Sequence, residues 1–277
     1  MSIKKIIGVT ALMLLPVMTL SAQNGVGLWG SAGVEKKVAK GFNAEFEAQY
    51  RQSAADMTKT DRWSFSLGID KRLYRNSLKT FTVKGGIGYK FLKVYNDYSI
   101  KSKTDGVADG LEAQYYVDNL YNFNLTEGYK ENRHRLFASL QAGYTAGSFK
   151  FSLRECYQFT YSDSVQTRRD KYRYKTDTYQ VKTDSVYKGG GNKNVLRSRI
   201  GVSYVIPNSI FEPFVSYEIF SRLDGGAWVT NKTRLSAGVE FALSKKNEFK
   251  LAYIYQNKAD DNESNGSIIS IGYTFKF

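Results

Sequence analysis

The residues able to do chemistry in this chain are one histidine, one cysteine and a set of charged side chains that alternate with apolar ones. The charged set is Glu45, Glu47, Arg51, Asp70, Lys84, Arg135, Arg154, Arg197, Arg199, Glu218, Arg234 and Glu240. Each stands out of step with apolar neighbours: Glu45 and Glu47 are interleaved with Ala44, Phe46 and Ala48, and Arg197 and Arg199 alternate with Leu196 and Ile200. Such a mixed-sign set is suited to mutual pairing, or to holding a small ion, because each charge is costly if left alone away from water. His134 is the only candidate base for a nucleophilic hydrolase, which needs a serine hydroxyl within its reach. It is followed by Arg135 and Leu136, with no serine two residues on, and Ser139 would fall on the opposite face. Metal-ligand clusters, phosphate loops and dinucleotide fingerprints are missing from the sequence. The chain is therefore expected to have no catalytic, cofactor-binding or metal site.

The elements that would position these charges read as strands. Phe42, Ala44, Phe46, Ala48 and Tyr50 alternate with Asn43, Glu45, Glu47, Gln49 and Arg51, the two-residue period of a strand with one apolar and one polar face. The same period recurs at Leu28–Val38, from Trp63 to Ile69, from Phe81 to Phe91, from Leu136 to Tyr144 and from Phe149 to Tyr161. It continues from Leu196 to Tyr204, from Val215 to Ile219, from Leu235 to Leu243 and from Phe249 to Tyr255. The chain closes on Ser267 to Phe277, where Ile269, Ile271, Tyr273, Phe275 and Phe277 share one face. Nothing in the sequence after this strand could cover that face, which suits a strand covered by lipid. Its Gly272, Phe275 and Phe277 resemble the terminal signal strand of Gram-negative outer-membrane barrels, which implies recognition by the barrel-insertion machinery.

Composition agrees. Aromatic residues make up 15%, with 21 Tyr, 17 Phe, 24 Gly and 3 Pro, which favours many strands over helices. Mean hydropathy is −0.42, as a barrel allows, since half of every strand faces a polar lumen. Residues 1–22 have the order of a secretory leader: Lys4 and Lys5, an apolar run from Ile6 to Leu20 interrupted by Pro16, then Ser21 and Ala22. Cleavage is expected after Ala22, leaving 23–277 as one barrel domain. The formal charge is +14 before removal of Lys4 and Lys5. In an exported chain this excess points to anionic lipid, including lipopolysaccharide, and not to nucleic acid. Cys156 has no partner for an internal disulfide, so stability is expected from a closed hydrogen-bond ladder.

Short turns at Lys40, Asn76, Gly147, Asn208 and Lys246 alternate with longer connections, so the short ones are expected to be periplasmic. The longest connections are Tyr95 to Lys130, where Leu111, Ala113, Tyr115 and Val117 suggest a strand extension, and Asp163 to Asn194. The latter repeats Asp163, Asp170, Asp177 and Asp184 at a spacing of seven, which would flip faces in a continuous strand and so suggests short hairpin pieces. It reads either as a solvated loop or as a patch for lipopolysaccharide phosphates or a glycan. Glu155 is in phase with Leu153 and Tyr157 on the apolar face, which suggests a bulge that turns it inward. The segments number about eleven, against the even number expected of bacterial barrels. Leu28–Val38 is the odd member: either it lies partly within the lumen or a further strand stands elsewhere in the chain.

Leu28-Trp29, Glu47 to Arg51, Leu196 to Ile200, Tyr217 to Phe220 and Arg234 to Gly238 together resemble an uncharacterised family of Gram-negative outer-membrane barrels, domain of unknown function 2490. The resemblance spans nearly all of 23–277 and implies a β-barrel in the outer membrane, with no catalytic residue to carry over. The expected fold is all-β: an antiparallel up-and-down transmembrane barrel of ten to twelve strands with two long extracellular loops. The expected role is structural or lipid-interacting, with a charge-filled lumen. A narrow, porin-like channel for small anionic solutes and a lipid hydrolase stand as alternatives.

Overall fold

The computed structural model describes residues 26–52, 59–258 and 266–277. The leader and its cleavage point lie outside the described residues. Thirteen strands and one short helix follow in chain order: β1 (Val26–Ala39), β2 (Phe42–Gln52), β3 (Thr60–Arg75), β4 (Phe81–Asn96), β5 (Ser99–Ser102), α1 (Ala113–Asp118), β6 (Phe123–Thr126), β7 (Tyr129–Ala146), β8 (Phe149–Lys175), β9 (Thr178–Tyr204), β10 (Phe211–Asp224), β11 (Ala227–Ala242), β12 (Asn247–Lys258) and β13 (Gly266–Lys276). Two compact units divide them.

The first unit contains the barrel. Its eleven strands run in the order β8, β7, β4, β3, β2, β1, β13, β12, β11, β10, β9, and β9 pairs with β8 to close the ring. Closure leaves no unpaired edge among them. The seam between β1 and β13 is parallel, in register from Val26 opposite Ser267 to Glu35 opposite Lys276. The expected even strand number fails at this seam. An up-and-down ring with an odd number of strands brings its first and last strands together running the same way, so eleven strands close when one seam is parallel. The even-number expectation assumed antiparallel pairing throughout. Nor does β1 enter the lumen: it is a full wall strand, paired with β2 on its other side.

Alternation sorts the wall into two faces. Large apolar side chains such as Leu67, Ile87, Leu136, Leu140, Leu153, Ile200 and Ile271 are exposed on the outside. Polar and charged residues take the intervening positions. Where β-strands β3, β4 and β7 run side by side, the inward ring of Phe137 lies over Gly88 and close to Gly68, and a Cβ built on Gly88 would also come within 2.6 Å of the Leu67 carbonyl oxygen. Only glycine leaves room for the ring at that point of the wall.

The second unit comprises residues 93–133 and 161–192. It has its own core of Ile100, Tyr116 and Phe123, with Val107, Ala113, Val117, Tyr121, Leu125, Tyr172 and Tyr179 packed against it. β5 pairs with β6, and β6 pairs with β8 through Phe123–Tyr172 to Thr126–Arg169. The Phe123 and Tyr172 rings stack at 4.5 Å. Tyr179 donates its hydroxyl proton toward the carbonyls of Tyr116 and Tyr121 at 2.9 and 3.0 Å. The strand extension expected near Leu111 is instead α1, because Ala113, Tyr116 and Val117 bury at i, i+3 and i+4, the spacing of one helical face.

The heptad repeat is one continuous ribbon of β8 and β9, not separate hairpin pieces. The chain reverses at Thr176 and Asp177, both at positive φ, the conformation of a tight two-residue hairpin turn. Asp170 and Asp184 are equidistant in sequence from Asp177, so the turn folds the repeat onto itself. Thr183 then donates to Asp170 at 2.6 Å, and Arg169 and Lys171 both reach Asp184. The turn separates Asp170 from Asp184, while Asp163 and Asp170, seven apart within β8, do fall on opposite faces, so the repeat is carried by a ribbon without its carboxylates sharing one face.

Candidate functional site

Every charged residue singled out from the sequence lies on the inward phase of its strand. Glu155 does not join them. Cys156, Gln158 and Thr160 are buried at alternate positions without a break, so no bulge occurs and Glu155 stays in phase with exposed Leu153 and Tyr157. Its outward carboxylate is satisfied by Ser198, whose Oγ donates at 2.6 Å.

The densest part of the inner wall is built on adjacent strands β9, β10, β11 and β12. Register sets Arg199 opposite Glu218, Glu218 opposite Arg234, and Arg234 opposite Gln256. Two guanidinium groups share the one carboxylate: Arg197 donates to Glu218 Oε1 from Nη2 at 2.7 Å and from Nε at 3.1 Å, and Arg234 reaches Oε2 at 3.3 Å. Arg234 also donates to Gln256 Oε1 at 2.7 Å. Such charge-assisted, forked bonds fix orientation as well as distance.

Two aromatic side chains complete this cluster, and the sequence reading did not assign them to it. Trp29 and Phe220 are only 7% and 6% exposed and occupy the inward phase of β1 and β10. Arg51 lies over Trp29 at 3.8 Å and Arg234 at 4.9 Å. Lys232, Arg197 and Arg234 lie over Phe220 at 4.1, 4.8 and 4.9 Å. Ala252, Ile254 and Ile268 pack around Trp29 and give the inner wall a small apolar base. The rings present their negative faces to cations that share too few carboxylates. Their signal was available: each is an aromatic on the polar phase of a strand that also carries, or lies beside, arginine.

Elsewhere on the wall the charges are paired more evenly. Lys90 reaches Glu47 at 3.5 Å, and Arg135 donates to Thr160 at 2.9 Å. Asp70 leans over Gly86 beside Ser139. Toward the short turns, Glu212 takes Lys150, Glu240 takes Lys250, both at 2.6 Å, and Glu248 takes Lys276. Glu212 and Glu240 are register partners, so each like-charged neighbour is balanced by its own lysine.

His134 lies on the outward phase with Leu136. Its Nδ1 is 2.6 Å from the Tyr89 hydroxyl, and its ring meets the edge of Phe91 at 5.5 Å. Ser139 is on the inward phase near Asp70, so these two residues point to opposite faces of the wall. In the terminal strand, Phe275 and Phe277 stack edge to face at 4.8 Å on the outward phase, while Gly272 faces inward against Ser31 and Lys250.

A closed sheet with charge inside and bare apolar side chains outside defines a transmembrane-type β-barrel. The profile of the family described as "Protein of unknown function (DUF2490)" matches residues 26–266, and the chain belongs to that family. Among solved structures, the translocator domain of the autotransporter NalP from Neisseria meningitidis aligns with 94% of this chain and 92% of its own, at 12% identity and a TM-score of 0.43. The β domain of the Bordetella autotransporter BrkA aligns with 91% of this chain and 96% of its own, at 12% identity and a TM-score of 0.31. No curated protein matches the chain.

Proposed function

We propose that this is an integral outer-membrane barrel that acts as a structural, lipid-contacting protein and not as an enzyme. The observation that carries the reading is the outer wall: Leu67, Ile87, Leu136, Leu140, Leu153, Ile200 and Ile271 stand exposed on a closed sheet whose polar groups face inward. In water so many bare aliphatic side chains would drive association, whereas hydrocarbon is their ordinary surrounding. The shortest barrel strands, β2 and β13, have 11 residues, enough for a tilted strand to cross a bilayer core. The leader in residues 1–22 would deliver the chain, and the terminal strand with Gly272, Phe275 and Phe277 would present it to the insertion machinery. Outer-membrane lipid and lipopolysaccharide are its proposed contacts, with no nucleic acid.

The second unit tempers the idea of a basic patch for lipopolysaccharide phosphates. It carries twelve Lys and Arg against eleven Asp and Glu. Arg168, Arg169, Lys171 and Arg173 are each bonded within the unit. A solvated, self-paired module is the better reading of 163–194.

Fractionation of the producing cell tests the proposal. The protein should sediment with outer membranes, require detergent for extraction, and migrate faster on a gel before heating than after. Recovery of a detergent-free monomer from the soluble periplasm would overturn it. One observation favours a second reading, a narrow passage for small anions: arginines outnumber carboxylates in the row that contains Glu218.

A further inference from the structure

We infer that the lumen holds a binding site for a small phosphate-class oxyanion, built on Arg154 of β8 and Arg199 of β9. The Glu155–Ser198 bond, and the approach of the Ser152 hydroxyl to Gly201, set β8 against β9 so that Arg154 faces Arg199 directly on the inner wall. Like charges placed opposite one another across two strands repel, and a sheet keeps such a pair only when something offsets it. Among the described residues, nothing bonded does. Neither guanidinium group has an ion pair or a side-chain hydrogen bond, whereas Arg197 and Arg234 are both engaged with Glu218.

The surrounding charges sharpen the imbalance. Arg199 is the register partner of Glu218, but both oxygens of that carboxylate are already taken. Glu240 acts on Arg199 from a distance while bonded to Lys250. Glu45 acts on Arg154 without bonding it, and shares its own neighbourhood with Glu47 and Asp70. Three guanidinium groups, of Arg197, Arg234 and Arg199, thus gather around the Glu218 carboxylate, and Arg199, which it does not bond, faces the equally unbonded Arg154 of β8. A dianion placed between Arg154 and Arg199 would accept from both planar forks at once, which a single carboxylate on the wall could not do as well. The remaining cations, Arg197 and Arg234, are held back by Glu218 and by the rings of Phe220 and Trp29, so they add field without competing for the ligand's oxygens.

This site deepens the second reading above but needs only the barrel interior, not passage through it. The test uses the full mature chain in nonionic detergent. Inorganic phosphate is titrated at constant ionic strength, and the thermal unfolding midpoint is followed by near-ultraviolet circular dichroism. The gel shift on heating certifies that each variant is folded. The wild type should show a saturable rise in Tm. Arg154→Gln and Arg199→Gln should each weaken the half-saturating concentration at least about tenfold, as loss of one charge-assisted contact implies. Lys150→Gln, whose amine serves Glu212 near the short turns, should leave it unchanged. A midpoint indifferent to phosphate in the wild type overturns the site. So does a response that Lys150→Gln weakens as much as the arginine variants do, because the effect would then be bulk electrostatics. If the variants fail to fold, calorimetric titration of phosphate into the wild type in the same detergent decides in their place: saturable heat that persists when sodium chloride is raised supports the site, and no saturable heat, or heat that salt screening abolishes, overturns it. Fractionation of the cell remains a separate question, so a soluble protein that binds phosphate would sink the membrane reading and leave this one standing.

Discussion

A methyl group added at Gly88 has no room, because the Leu67 carbonyl oxygen and the Phe137 ring already occupy its place. Gly88→Val should therefore destabilise the barrel by on the order of 1–3 kcal/mol, the usual cost of overpacking. Phe137→Ala in the same chain should recover part of that loss by clearing the space, and a double-mutant cycle on thermal unfolding would measure the coupling; additive effects would show that ring and glycine do not share the site. Glu218 poses the opposite problem, since one carboxylate holds two arginines. Glu218→Gln keeps the shape and removes the charge, leaving Arg197 and Arg234 facing each other. A loss of about 1–3 kcal/mol is expected in chemical denaturation, in the range for hydrogen bonds to charged groups. A neutral result would mean that lumen water and the rings of Trp29 and Phe220 satisfy those cations unaided.

At the scale of elements, the β8–β9 ribbon depends on its turn and on its cross-strand carboxylates. Thr176 and Asp177 hold positive φ, which a β-branched residue adopts at a cost. Replacing the pair by Asn-Gly should raise stability by on the order of 1 kcal/mol, the left-handed strain released outweighing the chain entropy that glycine adds to the unfolded state, seen as slower amide exchange in 165–188. The Thr183 hydroxyl and the Arg168 guanidinium hold the Asp170 carboxyl below its ordinary value of 3.8. Asp184 is lowered likewise, chiefly by the Lys171 ammonium and also by Arg169. Groups depressed in the folded state stabilise it fully above their unfolded value and lose that contribution as the pH falls through the folded one. The second unit should accordingly lose exchange protection below about pH 4, and Asp170→Asn should remove part of the pH dependence. Protection unchanged between pH 5 and 2.5 would contradict the linkage. This ribbon also shows where sequence reasoning stops. The spacing of seven was visible, but its meaning depends on a reversal at Asp177 that no local period announces. Likewise Ala113, Tyr116 and Val117 fit a helical face while Leu111 to Val117 fits an alternating one, and only the packing partners Ile100 and Phe123 decide between them.

The barrel rests on one division, apolar outside and charged inside, and that much was legible because a two-residue period assigns each side chain to a face before any strand is paired. Which charge meets which was not legible, since pairing depends on register around the entire ring, and the parallel seam of β1 and β13 follows from strand number, which no single segment encodes. The division leads to a test in which water and lipid predict opposite signs. Leu140 lies near the middle of β7, on the outward phase, and is 53% exposed. If water surrounded it, Leu140→Arg would be neutral or mildly favourable, because an exposed leucine gains little from staying bare. If hydrocarbon surrounds it, the charged head must snorkel along the wall or distort the bilayer, at about 2–4 kcal/mol for a site at the bilayer midplane. Reversible unfolding from phospholipid vesicles should show that loss, and the same substitution at Ser139, the inward neighbour, should cost much less because the lumen wall is polar. Equal effects at the two positions would mean that the two faces of the strand meet the same solvent, and the assignment of an outside and an inside would fail with them.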